Sequence, residues 1–264
     1  MKEKKESKES KETVDLKNDL TVILCSYKAN KAFKLCLHQL ARFGFTGKNL
    51  LIYENSPSDY VSNRELLKAH NITFIDNPGG MYFDTVNKAF NEVKTNYALL
   101  LDSDCFCIIN PFIFLQNMVN HKLSLFGDIS SSHNGYKFRK RVDPCWCMID
   151  MNFIKTNNIQ FTDIIRMQQT NSMSFILTNE LGLPKDPNQY YYNAGSTMLE
   201  DVLKCSGIVA DVGDNKPYIH PEGMSWKHDF KQFEQDAVRA DNWVGLLYDK
   251  LLFDEKFLDN LSNK

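Results

Sequence analysis

The stretch Tyr97-Ala-Leu-Leu-Leu-Asp102-Ser103-Asp104 decides how this sequence is interpreted. Its apolar run predicts a buried central strand, and because Asp is disfavoured inside strands, the acids are expected just past the strand's carboxyl end. Two carboxylates one residue apart repel each other unless a cation or a proton lies between them. A hard divalent cation with oxygen ligands fits this pair. The alternative is two solvated acids in a turn.

Three strand–helix units precede this stretch. Apolar runs at 20–25, 50–53 and 72–75 predict strands, and residues at helical spacing follow each of them. The first helix is expected to stop near Gly44, the second is a short helix to about Ala69, and the third carries Val86, Ala89, Phe90 and Val93 on one face. This alternation predicts an α/β fold with a mostly parallel sheet and helices on both faces.

Polar residues follow all four predicted strands. They are Ser26-Tyr27, Glu54-Asn55, Asn77 with Gly79-Gly80, and the Asp pair. In open α/β sheets the carboxyl ends of the strands form the binding crevice, so these residues are expected to lie along it. No G-x-G-x-x-G follows the first strand and no G-x-x-x-x-G-K-[ST] occurs, which argues against a dinucleotide oxidoreductase and a P-loop NTPase.

The composition is that of an ordinary globular protein. The 264 residues are 43% hydrophobic and 24% charged, and the net charge is −2. This charge gives no electrostatic reason to expect nucleic acid as a partner. No apolar run approaches the roughly 20 residues of a transmembrane helix, and the charged N-terminus does not resemble a secretory signal. We therefore expect a cytoplasmic protein without a transmembrane segment, while the oligomeric state stays open.

The seven cysteines include two pairs with a single residue between them, Cys105 with Cys107 and Cys145 with Cys147. Structural zinc sites usually have at least two residues between paired cysteines. Alternate residues of a strand point to the same side. We therefore predict buried free thiols, with zinc as the less favoured alternative.

The chain is expected to form one domain after a short tail. Residues 1–18 are rich in Lys and Glu and predict a disordered tail, and the domain spans 19–264. Within it, 227–264 form one or two amphipathic C-terminal helices. The apolar positions of these helices are Val238, Trp243, Val244, Leu246, Leu247, Leu251, Leu252, Phe253, Phe257 and Leu258.

Five segments in order resemble the nucleotide-sugar glycosyltransferases of GT-A fold, in particular glycosyltransferase family 2. They are 21–27 (TVILCSY), 52–59 (IYENSPSD), 77–80 (NPGG) with 87–89 (NKA), 102–104 (DSD) and 220–226 (HPEGMSW). The resemblance extends over roughly residues 20–230. It implies the GT-A variant of the predicted fold, with 19–104 as a nucleotide-binding half and 105–226 as an acceptor half. It also implies the transfer of a sugar from a nucleoside diphosphate donor.

The resemblance implies a metal site for Mn²⁺ or Mg²⁺. Asp104 is expected to bind the ion, while Asp102 either binds it too or holds the ribose hydroxyls. His220 is expected at the metal or at the diphosphate; without the motif around it, a hydrogen-bonding role on the surface or in the core would be the first interpretation.

The resemblance also implies a set of contacts to the donor, for which a UDP-sugar is expected. The set comprises Ser26, Tyr27, Glu54, Asn77, Gly80, Asn87, Asp102 and Ser103. Tyr27 is expected to pack beside the uracil, and Glu54 to accept hydrogen bonds from the base or the ribose. The alternatives are an interfacial tyrosine and a solvated glutamate at a strand end. Gly79 and Gly80 either allow close approach of the nucleotide or only build a tight turn. Asn87 and Lys88 are placed at the start of a helix, and a solvated position is equally expected for Lys88.

The acceptor side is less defined. Residues 141–150 (RVDPCWCMID) resemble the strand that lines the acceptor pocket, and Asp143 is the predicted catalytic base. Asn193 stands where relatives carry an acid, so Glu200 and Asp201 remain alternative bases. For Trp146, packing in the core is favoured over stacking on a sugar.

The predicted function is metal-dependent, inverting transfer of a sugar to a hydroxyl group of a glycan, lipid or protein. The alternative is a catalytically silent relative that binds a sugar nucleotide or a glycan, which the neutral Asn193 suggests. An aspartate-nucleophile phosphatase is disfavoured because three strands precede the Asp pair. A nucleotidyltransferase is disfavoured because the first loop has no Gly-rich, Lys-bearing segment.

Overall fold

The computed structural model describes residues 16–133, 136–172, 190–221 and 234–262. The strands are β1 (Leu20–Ser26), β2 (Leu50–Glu54), β3 (Ile75–Asp76), β4 (Tyr97–Asp102), β5 (Phe106–Cys107), β6 (Leu125–His133), β7 (Tyr136–Asp150), β8 (Val209–Asp211) and β9 (Tyr218–Ile219). The first helices are α1 (Asn30–Arg42), α2 (Ser62–Ala69), α3 (Tyr82–Glu92), α4 (Pro111–His121), α5 (Met151–Thr156) and α6 (Ile164–Gln169). Two further helices span Ser196–Lys204 and Glu234–Lys250, and 3-10 helices span Gly47–Asn49 and Glu255–Leu261.

The main sheet has seven strands in the order β3-β2-β1-β4-β7-β6-β8. β1 pairs in parallel with β2 and β4, and β2 pairs in parallel with β3. β7 is antiparallel to both β4 and β6, whereas β6 and β8 are parallel. A two-stranded sheet joins β5 to β9. The predicted α/β class with a mostly parallel sheet is therefore confirmed.

Helices cover both faces of the main sheet because the strands are apolar on both sides. Val22 and Leu24 of β1 belong to a core cluster that includes α1, α2, α4 and the C-terminal helix. Ile23 and Cys25 belong to a second cluster with α3, α5 and the helix Ser196–Lys204. Burial on both sides is typical of strands in α/β proteins and explains their nearly continuous hydrophobic runs.

Several boundaries differ from the predictions. β3 comprises only Ile75–Asp76, because it pairs with β2 only at Tyr53 and Glu54, so the predicted strand 72–75 is wrong in its extent. Asp102 is the last residue of β4 rather than the first beyond it. The first fifteen residues of the predicted tail lie outside the described residues. The Lys17 carbonyl accepts a hydrogen bond from Asn49 Nδ2 (2.6 Å), so the tail's last residues contact the domain.

The C-terminal helix Glu234–Lys250 agrees with the helical spacing, but its apolar residues divide between two sides. Val244 and Leu247 are buried against the domain, as is Leu258 of the following 3-10 helix. Val238 and Leu246 are more than half exposed. None of the helices in the described ranges is long and apolar enough to cross a bilayer.

Candidate metal centre

Three predicted ligands lie together at the carboxyl end of β4. Asp102, Asp104 and His220 each present one ligand atom, and these atoms lie within 4.8 Å of one another. Asp104 is buried, whereas Asp102 and His220 are partly exposed. Two carboxylates and an imidazole make a donor set that suits Mn²⁺ and similar divalent cations. These residues therefore fit the metal that the resemblance implies.

Asp102 is held by a neighbour that sequence reasoning did not single out. Tyr82, at the start of α3, donates its hydroxyl to Asp102 Oδ1 at 2.8 Å. Burial, followed by the negative charge of Asp104, raises the pKa of the Asp102 carboxyl to about 7. The hydrogen bond from Tyr82 and the charge of His220 act in the opposite direction. The crowding of negative charge that the Asp-x-Asp spacing predicts is therefore present.

His220 pairs directly with Asp104. Its Nε2 lies 3.3 Å from Asp104 Oδ1, and its ring also hydrogen-bonds the thiol of Cys145. Burial lowers the pKa of His220, but the hydrogen bonds with Asp104 and Cys145 outweigh it and raise the pKa to about 12. Because a metal-bound imidazole is neutral, a cation at this position would displace the proton shared with Asp104. The rest of the predicted segment, 222–226, lies outside the described residues.

The strand β7 brings Asp143 close to the metal cluster. Arg141 Nη2 donates to Asp143 Oδ2 (2.7 Å) and the Cys145 backbone N–H donates to Oδ1 (3.1 Å). Burial alone would raise the pKa of Asp143, but the charge of Arg141 and these hydrogen bonds hold it below its usual value. His220 contributes in the same direction. Asp143 is therefore an ionised group beside the cluster, and its role as a base stays a prediction.

Glu54 lies at the end of β2, as predicted, but with no exposed surface. Four donors converge on its carboxylate. The Ser26 hydroxyl and Asn63 Nδ2 (3.2 Å) donate to Oε2, and the Ser56 N–H (3.0 Å) donates to Oε1. Arg64 Nη1 lies 3.7 Å from Oε1. In this structure Glu54 and Ser26 therefore hold the loop that follows β2, and contact of either residue with a nucleotide stays a prediction.

The turn at 77–80 is built around the side chain of Asn77. Its amide donates to Asn55 Oδ1 (2.8 Å) and Thr85 Oγ1 (3.2 Å). A Cβ atom on Gly80 would lie 2.0 Å from Asn77 Nδ2. Gly80 is therefore required by the turn itself, and its contact with a nucleotide stays a prediction.

Asn87 is not at the start of a helix, and this part of the prediction is wrong. α3 begins at Tyr82, and Asn87 lies in the middle of the helix. Its side chain donates to the Thr162 carbonyl (2.8 Å) and accepts from the Thr162 N–H (3.2 Å). Both polar atoms of the amide therefore tie α3 to the segment before α6. Lys88 is exposed, with its ammonium group 5.5 Å from the centre of the Tyr53 ring.

Trp146 is fully buried, which confirms core packing. Its ring centre lies 5.2 Å from that of Phe114 in an edge-on arrangement and 6.4 Å from that of Tyr218 in a stacked one.

The seven cysteines are free thiols, and all except Cys205 are buried. Tyr27, directly after β1, remains partly exposed, and Lys28 Nζ lies 5.4 Å from the centre of its ring. Ser103 is buried.

The alternative bases lie in an ion-pair network on the helix Ser196–Lys204. Glu200 accepts from Arg139 (2.8 Å) and from the Tyr192 hydroxyl (2.9 Å), and Asp201 binds both terminal nitrogens of Arg166 at 3.0 and 2.9 Å. Asn193 Oδ1 accepts from the Ala194 N–H (2.8 Å), which stabilises the turn before the helix.

A further charged group lies beside this centre and was missed. Asp128 of β6 accepts hydrogen bonds from Tyr218 Oη and pairs with Lys216 Nζ, both at 2.6 Å. Lys216 and His220 flank the short strand β9, which contains Tyr218, so the period-two spacing of 216, 218 and 220 could have indicated them. Nothing in the sequence indicated Asp128 or Tyr82.

A cavity of about 360 Å³ opens at the end of β1. It is lined by Lys28, Ala29, Asn30, Lys31, Tyr60 and Asp241. The three clustered ligands are not among its lining residues, so we do not assign the metal centre to this cavity.

Comparison with known proteins gives structural similarity only. No protein-family model and no curated protein sequence matches this chain. TarS 1-349 of S. aureus in complex with UDP-GlcNAc is 15% identical, with a TM-score of 0.41 over 55% of this chain and 48% of that chain. In this match the chain spans about half the length of TarS.

Two other solved structures resemble more of the chain. The mannosyltransferase PcManGT of Pyrobaculum calidifontis, in complex with GDP-Man and Mn²⁺, is 8% identical, with a TM-score of 0.49 over 86% of this chain and 70% of that chain. The glycosyltransferase GlyE of Streptococcus pneumoniae is 12% identical, with a TM-score of 0.45 over 91% of this chain and 62% of that chain. The similarity concerns the fold alone, and no argument about activity rests on it.

Proposed function

We propose that this protein is a divalent-metal-dependent glycosyltransferase that uses a nucleoside diphosphate sugar, with a UDP-sugar as the expected donor. The observation that carries the proposal is the gathering of Asp102, Asp104 and His220 within 4.8 Å at the carboxyl end of the sheet. Open α/β sheets bind ligands at this end, and a nucleoside diphosphate is a ligand whose phosphates are commonly bound through a metal.

The proposed reaction is a single displacement. The acceptor hydroxyl oxygen bonds to the anomeric carbon, the bond from that carbon to the diphosphate oxygen breaks, and the configuration inverts. A divalent cation, when bound, supplies Lewis-acid stabilisation of the charge on the departing diphosphate. Asp102, Asp104 and His220 would hold this cation, and Tyr82 orients Asp102 through its hydrogen bond.

Asp143 is the proposed acceptor of the hydroxyl proton. It is ionised and lies close enough to interact electrostatically with both Asp102 and His220. Its pairing with Arg141 at 2.7 Å makes it a weak base, since a general base acts best with a pKa near the working pH. Proton transfer to Asp143 therefore requires the acceptor to displace or weaken this ion pair.

One observation favours a second candidate, a silent relative that binds a sugar nucleotide without transferring the sugar. Asn193 is neutral, and its side-chain oxygen is used by the Ala194 N–H, so it accepts no proton from a hydroxyl. The two functions make the same prediction for donor binding and differ in turnover.

The test is a thermal-shift titration of the full chain with UDP- and GDP-sugars, with and without Mn²⁺, followed by measurement of nucleotide release. A ligand that binds only the native state raises the melting temperature. We expect a Mn²⁺-dependent rise that Asp104→Asn abolishes, while Asp249→Asn, at an exposed position of the C-terminal helix, retains it. No shift with any nucleotide sugar would contradict the proposal, and a shift without nucleotide release would favour the silent relative.

A further inference from the structure

We propose that Lys216 leaves Asp128 when the donor binds and contacts the terminal phosphate of the leaving nucleoside diphosphate. This inference rests on the proposed function and names an additional residue of the donor site. It follows from the contacts that place Lys216, just before β9, on the side of His220, just after β9, from the exposure of Lys216, and from the charge that the leaving group brings.

The backbone places Lys216 on the side of the metal centre. β9 pairs with β5 through Phe106–Ile219 and Cys107–Tyr218, and β5 begins two residues after Asp104. Lys216 and Tyr218 both contact Asp128, and Tyr218 and His220 both hydrogen-bond Cys145, so these three side chains lie on the same side of the segment. Lys216 also interacts electrostatically with Asp143 and Cys145, which lie beside His220.

The contacts of Lys216 allow it to change partner. Half of its side chain is exposed, and its partner in the structure is Asp128 at 2.6 Å. The Lys216 end of the pair is solvated, which weakens it relative to a buried pair, although the Asp128 side chain is only 14% exposed. Asp128 retains the hydrogen bond from Tyr218 when Lys216 leaves, so its carboxylate is not left without a donor.

With a divalent ion and a nucleoside diphosphate bound, the metal centre would carry excess negative charge that a further cation would neutralise. Asp102 and Asp104 together offset the charge of a divalent ion, whereas a nucleoside diphosphate brings about three negative charges near neutral pH. His220 belongs to the metal centre, and Arg141 is paired with Asp143. Of these three cations, Lys216 has a half-exposed side chain and can turn towards a phosphate by giving up one ion pair, with Asp128.

Calorimetric titration of UDP, GDP and their monophosphates into the full chain with Mn²⁺ tests the inference. Lys216→Met is expected to weaken binding of the preferred diphosphate about tenfold, the effect of losing one charge-assisted hydrogen bond. Binding of the matching monophosphate, which lacks the terminal phosphate, should change less than about twofold. Lys204→Met is the matched control, because Lys204 is also exposed and ion-paired but lies at the C-terminal end of the helix Ser196–Lys204.

Asp128→Asn separates this role from a structural one. If Lys216 contacts the diphosphate, Asp128→Asn leaves the diphosphate affinity unchanged or raises it, whereas Lys216→Met lowers it. If the ion pair only supports the fold, both variants weaken binding together, and this result overturns the inference. Equal affinity of Lys216→Met and wild type also overturns it, while the proposed function stands. Absence of binding by wild type to UDP and GDP would refute the proposed function itself.

Discussion

The substitution Glu54→Gln distinguishes a structural role of Glu54 from a direct role in nucleotide binding. In the structure four groups face the carboxylate of Glu54 as donors, from Ser26, Asn63, Ser56 and Arg64. Glutamine has almost the same shape but replaces one acceptor oxygen with an NH₂ donor. Whichever way the amide turns, this NH₂ group meets donors.

The cost can be worked out for the better orientation. With the NH₂ group on the Ser26 side, the Ser26 hydroxyl can turn and accept, but Asn63 Nδ2 then faces another donor. One buried charge-assisted hydrogen bond is lost, which costs about 1.5–3 kcal/mol. Asn63 keeps its second hydrogen bond, to the Lys28 carbonyl at 2.9 Å, which limits the loss. The total is a substantial fraction of the roughly 5–15 kcal/mol that stabilise a typical domain.

Urea denaturation of wild type and Glu54→Gln, followed by circular dichroism, measures this cost. We expect the free energy of unfolding to fall by about 2 kcal/mol, with nucleotide affinity nearly unchanged in the folded fraction. The exposed Glu65→Gln on α2 serves as the control and should change stability by less than about 0.5 kcal/mol. A variant as stable as wild type that has lost nucleotide binding would refute the structural role and support the contact predicted from sequence.

Two other predictions concern packing and pH. Gly80→Ala should destabilise the turn by about 1–2 kcal/mol, because the new Cβ would lie 2.0 Å from the amide of Asn77 and break its hydrogen bonds. Gly245→Ala, where a Cβ has open space in a helix, should be neutral or stabilising in the same urea experiment. His38 is buried and accepts from the Asp254 N–H at 3.0 Å, and burial followed by the charge of Arg42 lowers its pKa below the usual 6.5. The unfolded chain therefore binds the proton more readily, so stability present above pH 6.5 should decline as the pH falls below it. The loss between pH 7 and pH 5 should be smaller in His38→Gln, and equal losses in both proteins would contradict this assignment.

Much of the first half of the fold follows from local sequence. The apolar runs and their spacing predicted β1, β2, β4 and the helices between them, because a strand buried on both faces needs a continuous apolar segment. The same reasoning placed two acids at the end of β4. It failed for β3, which is only two residues long because pairing with β2 ends at Glu54.

The partners of the polar side chains could not be predicted in this way. The sequence indicated Glu54 and Asn87 as contacts to a ligand. In the structure the carboxylate of Glu54 lies beside Arg64, and both polar atoms of the Asn87 amide bond the backbone of Thr162. Buried polar groups need hydrogen-bond partners, so a side chain that sequence indicates as a binding residue can instead bond another part of the protein.

The sequence by itself determined which segments become buried strands and that two carboxylates end the central one, because hydrophobic periodicity acts over a few neighbouring residues. The resemblance suggested a place for His220, but only the tertiary structure brings it against Asp104, 116 positions earlier, and Lys216 against Asp128. The pairing of β9 with β5 and the antiparallel course of β7 bring these residues together. Such contacts depend on how distant strands pair in space, which no local pattern of residues encodes.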